Sequence, residues 1–439
     1  MPEIQPFRGY HYNPDKVGNL KLVLSPPYDV ISKEDKEILS NLSPYNIVRI
    51  INGEDLPEDN ETENKYTRAA HLYDSWKKEG VLVHHKHHHI YVYEQEYFLP
   101  NGEKRTRKGF IALLRLEPFD QGRVRPHERT MKGPSKDRYR LLDACKANFG
   151  QIFTLFSDPH GVISQIMENA AKTGPSGEMV DWENTRHRFW HVHDTKLVSK
   201  IREEMREGVV YIADGHHRYE TALRYMLHQK ENTPGWTGEE PWNFRMATFI
   251  KMDEGVTILP AHRLVRGLDK IDLVWLEREM LKYFDLSIFQ FGRDNEVAQR
   301  NKMSLLLEKG KGQHTIGLSI RNANRCYLLR VKDESVIDKE IDRNHCMAWR
   351  RLDTTILHSL VLGKILGVKE TEEQLLYAKG DVESTVQRMY LEDYDAAFFL
   401  NPTTVQEVKD VADSKERMPE KSTYFFPKII SGLIIYDFS

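Results

Sequence analysis

The chain has 439 residues with 63 Lys+Arg against 66 Asp+Glu, a formal net charge of −3, and it is 40% hydrophobic and 29% charged. These are the values of a soluble globular protein of two or three domains, and the even charge argues against a main role in coating nucleic acid or an anionic membrane. Three widely spaced cysteines, Cys145, Cys326 and Cys346, make neither a disulfide framework nor a CxxC pair, which favours a reducing compartment.

The N-terminus lacks the basic start and apolar stretch of a signal peptide, and no run reaches the ~18 apolar residues of a membrane span. The cytosol is the expected location. In chain order, Leu20 to Leu24 reads as a strand stopped by Pro26-Pro27, because proline cannot continue a ladder. Residues 62–79 read as a helix with Tyr66, Ala69, Ala70, Tyr73 and Trp76 on one face and Gly80 as the stop. Residues 89–98 and 105–117 read as a β-hairpin turning at Asn101-Gly102. A helix is expected near 196–207, with Leu197, Ile201 and Met205 inward. A short buried strand at 209–213 follows, then a helix to about His228. The second half alternates helices (about 271–284, 353–366, 381–392, 403–412) with short strands (about 314–320, 325–332, 396–400, 432–437). The whole reads as mixed α/β, with segments at 1–118, 119–265 and 266–439.

Three segments carry residues suited to chemistry. In Asp214-Gly215-His216-His217-Arg218 a buried strand meets a tight turn and a helix start, where free N–H groups and the helix dipole favour an anion. His216, His217 and Arg218 add donors there, and Asp214 suits Mg²⁺ or a hydroxyl; a helix cap with surface histidines is the plainer alternative. In the second, Pro126-His127-Glu128-Arg129-Thr130, the carboxylate of Glu128 stands ahead of Arg129, Lys132, Lys136, Arg138 and Arg140. A carboxylate among phosphate-binding cations is what deprotonating a hydroxyl beside a polyanion needs; a solvated basic loop would look the same. The third runs from Arg417 to Lys428, where Lys421, Ser422, Thr423 and Lys428 suit phosphate oxygens and the aromatic run between them suits an edge strand. The tract His84-His85-Lys86-His87-His88-His89 cannot direct all its rings at one ion, and a solvated approach to the next strand is expected. No Walker-type loop or glycine-rich kinase loop is present.

Ala213 to Arg218 resembles the signature of free serine kinases in the ParB/sulfiredoxin-like superfamily. The wider set of Pro26-Pro27-Tyr28-Asp29-Val30, His127-Glu128-Arg129-Thr130, Pro260-Ala261-His262-Arg263 and Met418-Pro419-Glu420-Lys421-Ser422-Thr423 resembles the longer members of that group. The resemblance spans nearly the whole chain. It implies a ParB/sulfiredoxin-like catalytic core with additional α/β regions, the core lying in 119–265. It further implies a kinase that phosphorylates free L-serine, with inorganic pyrophosphate as donor and Mg²⁺ as cofactor. On this reading Glu128 is the general base, and Asp214 holds Mg²⁺ or aligns the nucleophile. His216, His217, Arg218, Lys132, Arg138, Lys421, Ser422, Thr423 and Lys428 bind phosphate, and His127 and Thr130 contact the substrate. ADP or ATP as donor, a phosphoserine phosphatase, and a ParB-like nucleic-acid or nucleotide-binding module are the alternatives. No membrane or nucleic-acid partner is expected, and oligomeric state is left open.

Overall fold

The protein is described from a computed structural model that covers every residue except 1, 130, 131, 269, 270, 293, 370 and 372, and the side chains of 132–134. It is mixed α/β, and its contacts divide it into two units. Unit 1 comprises residues 1–126, 130–256 and 427–439; unit 2 comprises 127–129 and 257–426. The segments 1–118 and 119–265 set out from sequence contribute strands to one sheet, and the last residues of the chain return to unit 1.

Unit 1 is built on a nine-stranded sheet of β1 (Ile4–Gln5), β2 (Ile90–Phe98), β3 (Lys104–Arg115), β4 (Val124–Pro126), β5 (Ile152–Phe156), β6 (Gly177–Val180), β7 (Arg186–Val192), β8 (Val210–Asp214) and β9 (Phe244–Lys251). The order is β4-β8-β5-β9-β3-β2-β7-β6, with β1 on β3. The centre is the expected hairpin: Phe98 of β2 faces Lys104 of β3, and Gly102 takes φ 84° in the turn. Parallel pairs β8–β4 and β9–β5 sit beside antiparallel ones, so the sheet is mixed. Besides a ten-residue helix at Lys33–Leu42, it is accompanied by α1 (Lys65–Lys78), α2 (Lys132–Cys145), α3 (Val162–Ala171), α4 (Thr195–Arg206) and α5 (His216–Asn232). Helix α1 buries Tyr66, Ala69, Tyr73 and Trp76, four of the five residues its periodicity singles out, and leaves Ala70 half-buried. Helix α3 lies on the β2–β3 hairpin, while α5 packs on both β5 and α2.

Two local expectations fail in this unit. Leu20–Leu22 is a turn of 3-10 helix rather than a strand, because the Asn19 side chain accepts from the N–H of Lys21 and starts a turn. Helix α4 turns Ile201 and Met205 inward as expected, but Val198 takes the inward place expected of Leu197, which is exposed.

The histidine tract also departs from expectation. His85 and His89 are buried, at 8% and 6% exposure. The His89 N–H and carbonyl both pair with Phe7, and His85 Nδ1 lies 3.0 Å from the Gly9 carbonyl oxygen. His11 stacks on His85 at 4.0 Å, and His191 of β7 stands 4.5 Å from His85 and 5.0 Å from His89 between ring centroids. The tract therefore closes against the first residues of the chain. One nitrogen on each of His11, His85, His89 and His191 is buried without a hydrogen-bond partner.

Unit 2 is a six-stranded antiparallel sheet of β10 (His262–Val265), β11 (Phe284–Gln290), β12 (Thr315–Ile320), β13 (Arg325–Val331), β14 (Leu375–Ala378) and β15 (Ala396–Leu400), ordered β11-β13-β12-β15-β10-β14. Its central strands β12 and β15 are buried along their whole length, because both faces of the sheet are covered there. In β15, Ala396, Phe398 and Leu400 enter one core, and Ala397 and Phe399 enter the other. The first core holds α6 (Leu273–Met280) and the buried helical run that begins at Asp353–Ile356 and continues through Leu357–Ile365. The second holds α7 (Glu296–Lys309) and α8 (Val382–Leu391). A further helix, α9 (Val405–Asp413), precedes the loop that carries Lys421 to Thr423.

Candidate active site

The candidate site of unit 1 begins at the end of β8. The ladder between β8 and β5 shifts register between Ile212 and Asp214, which turns the Asp214 side chain out of the regular pleat. Gly215 follows at φ 89° and α5 starts at once. A Cβ on Gly215 would stand 2.9 Å from the Arg218 guanidinium, so this position needs glycine for both backbone and space. Arg218, one helical turn on, donates from Nη2 to Asp214 Oδ2 at 3.0 Å and from Nη1 to the Gln151 carbonyl. Lys428 donates from Nζ to Asp214 Oδ1 at 2.8 Å.

Two buried side chains hold Lys428 in place. Gln95 of β2 donates to its carbonyl at 3.0 Å, and Arg107 of β3 donates to the carbonyl of Pro427 at 2.6 Å. Burial opposes ionisation of Asp214, but the Lys428 ammonium and the Arg218 guanidinium outweigh it and hold the carboxyl far below its usual range, with His216 adding to the effect. His216 is itself buried and His217 is half-buried at the helix start.

Next to this pair is a cavity of about 60 Å³, lined among others by Tyr28, Arg138, Gly150, Arg218, Thr221 and Arg245. Arg138 of α2 donates to Asp137 and to the carbonyl of Ile51, and its guanidinium lies 4.1 Å over the Tyr28 ring. Burial pushes the Tyr28 hydroxyl up to about 12. Arg245 of β9 donates to the Gly150 carbonyl at 2.7 Å.

The second group lies within unit 2. His127 is buried, its Nε2 is 3.0 Å from Thr423 Oγ1, and its carbonyl accepts from the N–H of Met418 at 2.7 Å. Glu128 bridges Met418 in parallel and accepts from the N–H of Lys421 at 3.0 Å through Oε1. Lys421 has φ 53°, and its carbonyl accepts from Arg263 at 3.2 Å. Ser422 is buried; its hydroxyl donates to the Pro419 carbonyl at 2.7 Å and sits 3.2 Å from Thr354 Oγ1.

The structure thus brings Asp214, His216, His217, Arg218, Arg138 and Lys428 into unit 1, and His127, Glu128, Lys421, Ser422 and Thr423 into unit 2. Thr130 lies outside the described residues, as does the side chain of Lys132. Sequence reasoning missed Arg245, Thr221 and Gln151, which look like ordinary strand and helix residues. Tyr28 appeared only as part of the Pro-Pro-Tyr-Asp motif. Among the described residues no group of three or more His, Cys, Asp or Glu is arranged to hold a metal ion, and none of the described helices is long and apolar enough to cross a membrane. Asp214 offers one carboxylate, with both oxygens already engaged by cations. Among the described residues, no two further metal-ligating carboxylates or histidines are grouped with it to hold a divalent ion.

A family described as "Protein of unknown function (DUF1015)" matches residues 4–355. No curated protein matches. Among solved structures, a free serine kinase mutant in complex with ADP matches at 10% identity and TM-score 0.32, over 69% of this chain and 84% of its own. SbnI with a C-terminal truncation, from Staphylococcus aureus, matches at 12% identity and TM-score 0.32, over 72% and 84%. A conserved hypothetical protein from Pyrococcus furiosus matches at 15% identity and TM-score 0.30, over 70% and 89%.

Proposed function

The chain belongs to the DUF1015 family, and from that premise we propose that it is a phosphotransferase acting on the hydroxyl of free L-serine, with inorganic pyrophosphate as donor, in the cytosol. The observation that carries the reading is the half-buried Asp214 carboxylate clasped by Lys428 and Arg218 at the start of α5. An aspartate kept ionised orients a hydroxyl by accepting its hydrogen bond. The cations and helix N–H groups around it stabilise the charge that spreads over a phosphoryl group in transfer. His216, His217 and Arg218 are the residues assigned to that phosphoryl group.

In this reading Glu128 takes the serine proton. The serine oxygen then forms its bond to phosphorus as the bond to the leaving phosphate breaks, and the leaving phosphate carries away the electron pair. Lys421 and Thr423 stand against Glu128 and His127 in unit 2 and are assigned to phosphate oxygens. Mg²⁺ is proposed as the counter-ion of the donor, brought in on its phosphates, since such ions are commonly held by substrate oxygens with few protein ligands.

The test is incubation of the full chain with L-serine, Mg²⁺ and, in separate reactions, pyrophosphate, ADP or ATP, followed by assay of O-phospho-L-serine. Product with pyrophosphate alone is expected. Product only with a nucleotide would change the donor, and no product with any donor would reject the kinase reading.

A further inference from the structure

The cavity beside Asp214 has a feature that phosphate binding leaves unexplained. Arg245 is 5% exposed, projects from the sheet strand β9, and has no carboxylate partner. Its one hydrogen bond goes to the Gly150 carbonyl, and its Nε is buried without a partner. Thr221 on α5 is 2% exposed, lines the same cavity, and its Oγ1 is likewise unpartnered. A guanidinium buried with a neutral oxygen as its only partner is costly, and burial together with Arg218 pushes Arg245 down to about 9. An oxyanion in the cavity removes that cost.

Charge and shape select the kind of anion. Arg218 and Lys428 pair with Asp214, Arg138 and Lys65 pair with Asp137, and Arg245 pairs with neither carboxylate. Lys428 and Arg218 converge on Asp214, where the phosphoryl group is assigned, which leaves Arg245 to balance a single further negative charge. The cavity is also lined by Pro27, Leu141 and Phe149, and about 60 Å³ is room for a few waters or one small organic group. Apolar walls with one fixed cation suit a carboxylate on a short carbon body better than a hydrated polyphosphate. A carboxylate also meets a guanidinium in the paired geometry that both groups favour.

We infer that the cavity bounded by Arg245, Thr221, Tyr28, Arg138 and Arg218 receives the α-carboxylate of the acceptor amino acid. This rests on the serine phosphotransferase reading and deepens it: recognition of the acceptor is assigned to β9 and α5, and its hydroxyl is directed toward Asp214.

The test is calorimetric titration of the full chain with L-serine, with L-alanine (carboxylate, no hydroxyl) and with ethanolamine (hydroxyl and amine, no carboxylate). Serine and alanine are expected to bind, with ethanolamine at least about tenfold weaker. Arg245→Gln is expected to weaken serine and alanine at least about tenfold while pyrophosphate affinity stays within about twofold, with Arg245→Lys in between. Thr221→Val, a near-isosteric change, gives a second reading should Arg245→Gln fail to fold; it should weaken serine several-fold and leave ethanolamine unchanged. Equal binding of ethanolamine and serine would overturn the inference. So would an Arg245→Gln protein that loses pyrophosphate affinity and keeps serine, or a Thr221→Val protein with unchanged serine affinity. If no phosphoserine is formed yet alanine binding still requires Arg245, the kinase reading falls and the carboxylate subsite stands.

Discussion

Acidification should loosen the N-terminal edge of unit 1 well before it protonates the carboxylates. His85, His89 and His191 are held at about 3, about 4 and about 4, and His11 is also lowered. Burial is the main cause in each case, and neighbouring rings add to it. The groups facing the cluster are Arg8, Tyr91, His84, His87, His88 and His193, with no carboxylate among them. A histidine whose folded pKa lies below its unfolded value contributes stability that is complete above about 6.5 and is lost as pH falls toward the folded value. At pH 5.5 the folded rings stay neutral while the unfolded chain binds protons, at about 1.4 kcal/mol per ring. Counting His85 and His89 alone, the two most buried, the loss from pH 7.5 is about 3 kcal/mol, against a typical stability of about 5–15 kcal/mol.

The assay is urea unfolding across pH 5–8, paired with hydrogen exchange of peptides covering residues 5–13 and 84–92. Exchange in both peptides is expected to rise together as the pH drops, because the N–H of Gly9 is held by Tyr91 and that of His89 by Phe7. The double variant His85→Gln, His89→Gln should lose most of the slope. A wild-type stability flat between pH 7.5 and 5.5, or a slope unchanged in the double variant, would refute the reasoning.

Three further outcomes follow from the site. Lys428→Met leaves Asp214 with Arg218 alone; stability should fall by about 1–3 kcal/mol and serine phosphorylation by roughly 10²-fold, read from urea midpoints and turnover, and turnover within twofold of wild type would contradict the role of the clasp. Glu128→Gln keeps an oxygen to accept from the N–H of Lys421, so the unfolding midpoint should move by less than about 1 kcal/mol while kcat falls at least about 10²-fold. Gly215→Ala should cost at least about 1–2 kcal/mol from the left-handed backbone alone, and more from crowding the Arg218 guanidinium, which thermal unfolding would register.

Elements were legible where periodicity and turn chemistry agreed. The β2–β3 hairpin, α1 and the strand–turn–helix at Asp214 could all be read locally, since Asn101-Gly102, Gly80 and Gly215 mark their ends. Leu20–Leu22 was misread because three apolar residues suit a strand as well as one helical turn, and the Asn19 cap decided between them. Arg245 could not be identified, because an arginine within the apolar strand Phe244–Lys251 carries no local sign of the cavity formed by α2 and α5 around it. The burial of His85 and His89 depends on Phe7, Gly9 and His191, remote in sequence, so the tract alone suggested solvent.

The pairing of Asp214 with Lys428 bears on the order in which a newly made chain can mature. The two residues are 214 positions apart, and all of 257–426 is made between them. While the ribosome is still working through that stretch, β8 and α5 already exist, but the aspartate lacks its lysine. A nascent chain therefore carries a half-neutralised carboxylate at the centre of its candidate site until synthesis has passed residue 428. Such a long-range closure is slow to form. It ties closure of the clasp on Asp214 to synthesis past residue 428, so that under the proposed function fragments released earlier in translation would be inactive.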